Sequence, residues 1–363
     1  MKGESKLKKR LLALLLIGVL VFTLAGCSGS NQEPTDEAEN GEETQTEEPL
    51  KIGMVTDEGG VHDQSFNQSA WEGLQRAEAE LGIKASYVES KQDGDFAPNF
   101  ETMLEADNDL IWGIGFKLAD AVLEAAKNNP DQRYAIVDHS YGDETPENVV
   151  CVMFKQEQPS FLVGYIAGYM TQTNNVGFVG GIAGDIIWAF DYGFHAGVQY
   201  AAKELGKEIT VQRQYAESFS DVAKGKAIAQ QMYQQGADIV FHAAGDVGTG
   251  VIEAAKEQGK WAIGVDRDQN YLAPDNVLTS AMKRVDVGVY NVVKELVNGN
   301  FPGGQTITYG LADGGAVDIA PTSDKHVPKE ILDKVEELKQ MIINGELEIP
   351  YNEETYNEFL KTL

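Results

Sequence analysis

The sequence predicts an α/β protein with two parallel β-sheets, each covered by helices on both faces. Short runs of β-branched residues alternate with helical stretches from residue 50 onward. This alternation is typical of βαβ units, and therefore of parallel sheets between layers of helices. The 314 residues from position 50 to the end of the chain exceed the size of about 250–300 residues at which single cores stop growing, so we expect two lobes.

Ten segments are predicted to be strands, five in each half of the chain: 50–56, 83–89, 109–114, 134–138, 149–154, 175–181, 208–215, 238–243, 261–266 and 277–282. The first helix is predicted to begin with a capping box, S-x-x-Q, at Ser65 to Gln68. Its apolar residues recur at the spacing of one buried helix face. Further helices are predicted at 157–172, 187–204, 219–235, 247–258 and 285–298.

The first 26 residues are predicted to be a signal peptide. A basic segment precedes an apolar run that closes on Leu24-Ala25-Gly26-Cys27. Small residues before a cysteine resemble the bacterial lipobox, in which the cysteine receives lipid and becomes the mature N-terminus. This resemblance implies a protein that is lipid-anchored at the extracytoplasmic face of the cell membrane. A transmembrane helix with an incidental cysteine is the alternative.

Residues 27–49 are predicted to form a disordered acidic linker after the lipidated Cys27. The segment has eight acidic and no basic residues after the cysteine, and no apolar periodicity, so it cannot bury enough surface to fold. The whole chain carries 57 acidic and 29 basic residues. From residue 50 onward, 48 acidic and 24 basic residues remain and the basic residues form no cluster, so we expect no nucleic-acid partner.

Chemistry-bearing residues are predicted to gather where strands end, because ligands of open α/β sheets bind outside the carboxyl ends of the strands. The residues at these ends are Asp57, Gly115, Asp138, Gly181, Ala244 to Asp246, Asp266 and Lys283. Ordinary turn and cap residues are the alternative. The sequence has no phosphate-binding loop, no metal-ligand spacing and no nucleophile motif. It therefore predicts no catalytic residue, no metal, no cofactor and no enzyme.

Aromatic residues and carboxylates suggest the kind of ligand. Phe66, next to Asn67, falls in the first turn of its helix, and Trp188 and Phe190 occupy a comparable turn in the second half. Aromatic rings on two sides of a cleft would clamp a flat ring, although such residues can also belong to the core. Asp246 and Asp266 could accept hydrogen bonds from a vicinal diol. Alternatively, Asp246 could cap a helix and Asp266 could belong to a loop turn. Lys283 could pair with such a carboxylate or contact a ligand oxygen, or it could be an ordinary surface lysine.

The chain resembles the basic membrane protein family of substrate-binding lipoproteins, whose best understood members are purine nucleoside receptors of ABC transporters. The resemblance rests on segments in the family's order: 57–74, 115–122, 157–168, 176–184, 190–198, 264–271 and 279–290. The patterns D-x-x-x-x-x-D-x-S-F-N and V-D-x-D-Q are the most specific. The resemblance implies a type I periplasmic-binding-protein fold, with two Rossmann-like lobes joined by a three-strand hinge.

The resemblance also implies a role for each site residue. Phe66 and Phe190 would sandwich the base, and Asp57 and Asn67 would bind its polar edge. Gly245 would allow close backbone approach, and the ribose would bind to three charged residues, Asp246, Asp266 and Lys283. Asp138 is carried over as a further ligand-binding residue. The chain departs from the family at Pro159 and in the bulky loop before Phe190, which bears on base preference.

The predicted lobes comprise residues 50–154 plus 284–310 and residues 155–283 plus 311–363. The predicted function is capture of a purine nucleoside (inosine, guanosine or adenosine) between them, for delivery to an ABC permease and ATPase by a monomeric receptor. Riboflavin or another flat heterocycle is an alternative ligand. A sensor that feeds a signalling partner instead of a permease is an alternative function.

Overall fold

The computed structural model describes residues 48–363. The predicted signal peptide, the Cys27 lipidation site and most of the acidic linker lie outside the described residues. Within residues 48–363, no helix has both the length and the apolar character needed to cross a membrane.

The described chain contains strands and helices in regular alternation. The strands are β1 (Lys51–Thr56), β2 (Lys84–Glu89), β3 (Leu110–Ile114), β4 (Arg133–Val137), β5 (Val149–Phe154), β6 (Asn175–Gly180), β7 (Thr210–Tyr215), β8 (Ile239–Ala243), β9 (Trp261–Asp266), β10 (Val277–Lys283), β11 (Gln305–Tyr309) and β12 (Val317–Ile319). The helices are α1 (Phe66–Leu81), α2 (Phe96–Glu105), α3 (Ala119–Asn128), α4 (Glu157–Met170), α5 (Asp185–Leu205), α6 (Val222–Gln234), α7 (Val247–Gln258), α8 (Val285–Val297), α9 (Lys329–Ile343) and α10 (Glu353–Leu360).

The strands form two six-stranded sheets with matching topology. Their orders are β11-β5-β4-β3-β1-β2 and β12-β10-β9-β8-β6-β7. All neighbouring strands run parallel except β12, which pairs antiparallel with β10. The predicted α/β class with two parallel sheets is confirmed, and each of the ten predicted strands is present. The edge strands β11 and β12 were not predicted.

Each sheet and the helices packed on it are called a lobe below. Helices α1–α3 and α8 pack with the first sheet, and α4–α7, α9 and α10 with the second. The chain passes between the sheets three times, after β5, after β10 and between β11 and β12. These crossings support the lobe boundaries given above, which we retain as a proposal.

Close packing of α4 against α5 fixes the helix that carries Phe190. A side chain at Gly197 would place its Cβ 2.0 Å from the carbonyl oxygen of Phe161, and one at Gly193 would lie 2.4 Å from that of Glu157. Only glycine permits so close a backbone approach. The position of α5 at the end of the second sheet is therefore set by backbone contact rather than by flexible side chains.

The matching topology places two aspartates at equivalent points. Strands β4 and β9 occupy the same place in their sheets. Asp138 follows β4 with φ of 66°, and Asp266 ends β9 with φ of 62°. Aspartate is among the few non-glycine residues found in this left-handed region. The chain turns sharply after each strand, and both carboxylates lie at the carboxyl ends of their sheets.

Candidate functional site

A cavity of about 50 Å³ lies between the carboxyl ends of the two sheets and opens to solvent as a cleft. Eight of the nine predicted ligand-binding residues line this cleft: Asp57, Phe66, Asn67, Asp138, Phe190, Gly245, Asp266 and Lys283. The ninth, Asp246, does not line it. Its carboxylate accepts a hydrogen bond from the Thr249 hydroxyl in the first turn of α7, at 3.1 Å.

Two aromatic rings from opposite lobes lie beside one ammonium group. The Lys283 Nζ atom is 5.2 Å from the centre of the Phe66 ring and 5.5 Å from that of the Phe190 ring. It is also 5.5 Å from the centre of the Phe154 ring. Rings within about 6 Å of a cation attract it electrostatically. Phe66 and Phe190 therefore lie in one cleft, and the ammonium group of Lys283 lies close to both rings.

Lys283 is buried, so its interpretation as a surface lysine is wrong. Its side chain is 1 % exposed, and its Nζ atom lies 2.5 Å from Asp138 Oδ2. Burial raises the pKa of Asp138, and the Lys283 charge partly offsets that effect. Burial also raises the pKa of Asp266, to about 7, and Lys283 opposes this shift too. The Lys283 ammonium thus pairs with Asp138 of the first lobe and favours, through its charge, the ionised form of Asp266 on the second lobe.

Asp57 and Asn67 form a hydrogen-bonded pair on the first lobe. The Asn67 Nδ2 atom donates to Asp57 Oδ1 at 2.8 Å and to Asp63 Oδ2 at 3.0 Å. Asp57 also accepts from the Gly59 backbone at 3.0 Å. Burial nevertheless raises the pKa of Asp57 to about 6. Because the Asn67 amide nitrogen is occupied by two carboxylates, only the amide oxygen remains for another partner.

The predicted capping box at Ser65 is wrong. Ser65 precedes α1, but its side chain makes no hydrogen bond to the helix. Asp63 caps the helix instead, because its carboxylate accepts from the backbone of Asn67 at 2.8 Å and of Gln68 at 3.0 Å. The Ser65 hydroxyl donates to Asp266 Oδ2 on the other lobe. The sequence could not distinguish two residues that are both good caps.

Sequence reasoning missed several residues of the cleft. Phe116 and Phe219 come from opposite lobes, line the cleft and meet edge to face at 6.0 Å between ring centres. Phe116 follows β3 and Phe219 follows β7, so the strand-end rule could have found both. Trp188, predicted beside Phe190, does not line the cleft and is 39 % exposed.

A second lysine, Lys117, also lines the cleft, but carboxylates occupy it. Its Nζ atom lies 2.6 Å from Glu58 and 2.7 Å from Asp93. Lys283 is likewise committed to Asp138. Neither lysine offers an uncompensated positive charge. Among residues 48–363, no cluster of three His, Cys, Asp or Glu residues is arranged to hold a metal ion.

The polar wall of the cleft consists mainly of hydrogen-bond acceptors. Within the described residues, Asn67 Oδ1 and Asp138 Oδ1 are buried without a hydrogen-bond partner. Each belongs to a side chain whose other polar atom is occupied. Buried polar atoms are normally paired, so these two oxygens are suited to donors brought by a ligand. The cleft thus combines aromatic surfaces with unpaired acceptors.

Comparisons with known proteins identify the family of the chain. Residues 50–353 match the model of the Bmp family, described as "ABC transporter substrate-binding protein PnrA-like". The chain belongs to this family. It is therefore a substrate-binding protein of an ABC transporter and not an enzyme. Membership implies a small-molecule ligand, permease and ATPase partners, and an extracytoplasmic, membrane-associated location.

Individual relatives extend over nearly the whole chain. The "CD4+ T-cell-stimulating antigen" of Listeria innocua is 41 % identical, covering 95 % of this chain and 99 % of its own. The "ABC transporter nucleoside-binding protein BmpA" of Lactococcus lactis is 39 % identical, with the same coverage. A solute-binding protein of an ABC transporter system from Aeropyrum pernix superposes with a TM-score of 0.78 at 28 % identity, covering 86 % of this chain and 97 % of its own.

Proposed function

We propose that the protein captures purine nucleosides, namely inosine, guanosine or adenosine, between its lobes and delivers them to an ABC permease. The cleft supports this proposal by placing aromatic rings from opposite lobes beside buried, unpaired acceptor oxygens. A purine offers two flat faces for Phe66 and Phe190, and each base–aromatic stack contributes about 1–3 kcal/mol. The relative named as nucleoside-binding is consistent with the same ligand class.

The acceptor-rich wall favours a ligand with many donors. Asp57, Asn67, Asp138 and Asp266 present oxygens, and Lys283 is the cation committed among them. A ribose brings hydroxyl donors, and the purine edge brings N–H groups. Asn67 and Asp57 would bind the base edge, and Asp266 would accept from the ribose with Lys283 nearby. We also retain Asp246 as a ribose ligand in this proposal, reached by a change of its side-chain conformation.

The charge of the cleft favours a neutral nucleoside over a nucleotide. A phosphate is recognised by groups such as arginine forks and uncompensated lysines. Here both lysines that line the cleft are paired with carboxylates. A phosphate would have to displace these carboxylates while lying near Asp57 and Asp266. We therefore expect nucleoside monophosphates to bind at least tenfold more weakly than their nucleosides.

The anchor completes the proposed device. Cys27 would carry lipid, and the acidic linker would hold the two-lobed domain near the permease while allowing it to reorient. We propose that the protein works as a monomer. Replacing Cys27 with serine should move the protein from the membrane fraction to the soluble extracytoplasmic fraction. Retention of C27S in the membrane after a carbonate wash would contradict lipid anchoring through this residue.

Two measurements test the ligand. Mass spectrometry of the small molecule released by denaturing the purified protein should identify a purine nucleoside. Competition titration should show that inosine, guanosine or adenosine displaces that molecule, whereas riboflavin does not. Recovery of a flavin, or displacement by riboflavin alone, would assign the aromatic cleft to a different flat heterocycle.

A further inference from the structure

The two lobes are joined at the cleft by a group of hydrogen bonds in which Asp266 is the one predicted ligand-binding residue. Gln64, Ser65 and Glu72 of the first lobe contact four residues of the second lobe, which are Asp266, Arg267, Gln269 and Tyr271. We call these seven residues the latch. Its members range from Ser65 and Gln269, which are fully buried, to Tyr271, which is 51 % exposed. The latch therefore runs from inside the cleft to its outer surface.

The inner part of the latch aims a ligand-binding residue. The Ser65 hydroxyl donates to Asp266 Oδ2 across the cleft. The backbone of Ser65 is held in turn, because its N–H donates to Asp63 Oδ1 at 2.9 Å. With Oδ2 occupied, the Asp266 carboxylate is left with Oδ1 for a ligand. Closure of the lobes and orientation of Asp266 thus depend on the same hydrogen bond.

The middle part of the latch has a fixed polarity. The Gln269 Oε1 atom accepts from the Val265 backbone at 3.0 Å and lies 2.9 Å from His242 Nε2. Because the Val265 N–H can only donate, the amide nitrogen of Gln269 must point away from it. That nitrogen donates to the Gln64 carbonyl oxygen on the first lobe at 3.0 Å. Burial lowers the pKa of His242 to about 4, so His242 is neutral and donates through Nε2.

The outer part of the latch contacts the side chain of Gln64, whose backbone carbonyl is bound by Gln269. The Tyr271 hydroxyl donates to Gln64 Oε1 at 2.7 Å, and Arg267 lies 2.6 Å from Glu72. Gln64 adopts φ of 56°, which is uncommon for a residue other than glycine. The second lobe thus contacts both the backbone and the side chain of a residue in an unfavourable conformation. A conformation of this kind persists when surrounding contacts over-determine it.

We propose that the latch sets the lifetime of the closed cleft and that Ser65 is a positioning residue for Asp266. This proposal rests on the proposed function, since the lifetime is that of a bound nucleoside. The latch residues other than Asp266 do not act as ligand contacts. They act on the ligand through lobe closure, so their loss should accelerate release more than it slows capture.

The test compares dissociation rates of the parent, Y271F, Q64N and the double variant by stopped-flow fluorescence. The probe is whichever of inosine, guanosine and adenosine the parent binds most tightly. Each single variant removes the same neutral hydrogen bond between the lobes, from Tyr271 to Gln64. The other bonds that they disturb, from Arg267 to the Tyr271 hydroxyl and from the Gln64 amide to the His62 carbonyl, each lie within one lobe. The dissociation rate of each single variant should therefore rise by about three- to tenfold. The double variant should be no faster than the faster single variant, because both remove the same bond. Dissociation rates equal to that of the parent, or single effects that multiply, would overturn the proposal.

A matched control removes a tyrosine hydroxyl that bonds within one lobe. Tyr290 donates to Glu80 Oε2 at 2.8 Å, and both residues belong to helices of the first lobe. Y290F should release the nucleoside at the parent rate. An equal acceleration in Y290F would show that general loosening, and not the latch, controls release.

The positioning role of Ser65 is tested by a double-mutant cycle. S65A should weaken nucleoside binding by about tenfold in the parent, and by less than twofold in D266A, where no carboxylate remains to be positioned. Equal losses in the two backgrounds would overturn this role.

A ligand-free measurement separates failure of the latch from failure of the proposed function. If the parent binds none of the three nucleosides, the proposed function fails. The latch is then judged by small-angle X-ray scattering. A larger radius of gyration for Y271F combined with Q64N than for Y290F supports the latch, and equal radii overturn it.

Discussion

Replacing Asp266 with alanine should weaken nucleoside binding much more than binding of the free base. Asp266 Oδ2 is occupied by the Ser65 hydroxyl, so Oδ1 is the oxygen available to the ribose. One hydrogen bond to an ionised acceptor contributes about 1.5–3 kcal/mol, which corresponds to about ten- to 150-fold in affinity. A second ribose hydroxyl donating to the same carboxylate would bring the loss to the upper end of that range.

Isothermal titration of the parent and D266A with guanosine and with guanine measures this difference directly. Guanine lacks the ribose, so its affinity should change by less than about threefold, far below the cost of a charged hydrogen bond. D266A should remain folded, because burial already disfavours the ionised carboxylate in the parent. Circular dichroism checks this point. Equal losses for guanosine and guanine would refute the assignment of Asp266 to the ribose.

Three further predictions follow from the same cleft. F66A should lose one base stack, or about 1–3 kcal/mol of binding free energy, and parent affinity in titration would refute the sandwich. K283M leaves Asp138 buried without its partner, which should cost about 3–5 kcal/mol of unfolding free energy at pH 8. Urea denaturation should show a smaller cost as the pH is lowered, because burial raises the pKa of Asp138 and a protonated Asp138 carries no unpaired buried charge. A cost that does not change with pH would contradict this pairing. Nucleoside affinity should rise from pH 5 to pH 8, because Asp57 and Asp266 accept hydrogen bonds best when ionised. Burial raises their pKa values to about 6 and about 7. A constant affinity, measured by titration across this range, would contradict their acceptor role.

The same pKa shifts have the opposite effect on the ligand-free protein. Burial raises the pKa values of Asp57 and Asp266 above their ordinary value. The contribution of these groups to stability is therefore fully present below about pH 4 and is lost as the pH rises through 6 to 7. As the pH rises through 6 to 7, the ligand-free protein therefore loses stability while nucleoside affinity increases. The ligand-induced rise in Tm should increase over the same pH range.

The sequence predicted the sheets because their signals are local. Buried strands such as β3 and β8 are mainly apolar runs, each preceded by an aspartate and followed within two residues by a glycine, and the helices between the strands have a clear apolar periodicity. Strands β11 and β12 escaped prediction because they are partly exposed and lie at sheet edges. Their position depends on pairing with distant strands, which local pattern does not record.

The candidate cleft was predictable to the extent that it lies at strand ends. That rule groups Asp57, Asp138 and Asp266 from the order of strands and polar residues along the chain. It could not show that Lys283 is buried, because the partners that surround it come from both lobes. The roles of Asp63 and Ser65 were likewise hidden, since two neighbouring residues could each cap α1 and only the tertiary structure decides between them.

The most direct test of the account is isothermal titration of the parent protein and F66A with inosine, guanosine and adenosine. The account predicts that at least one nucleoside binds the parent at a single site, and that F66A binds it about five- to 150-fold more weakly. Absence of binding heat with all three nucleosides, for a protein shown to carry no co-purified ligand, would contradict the proposed function.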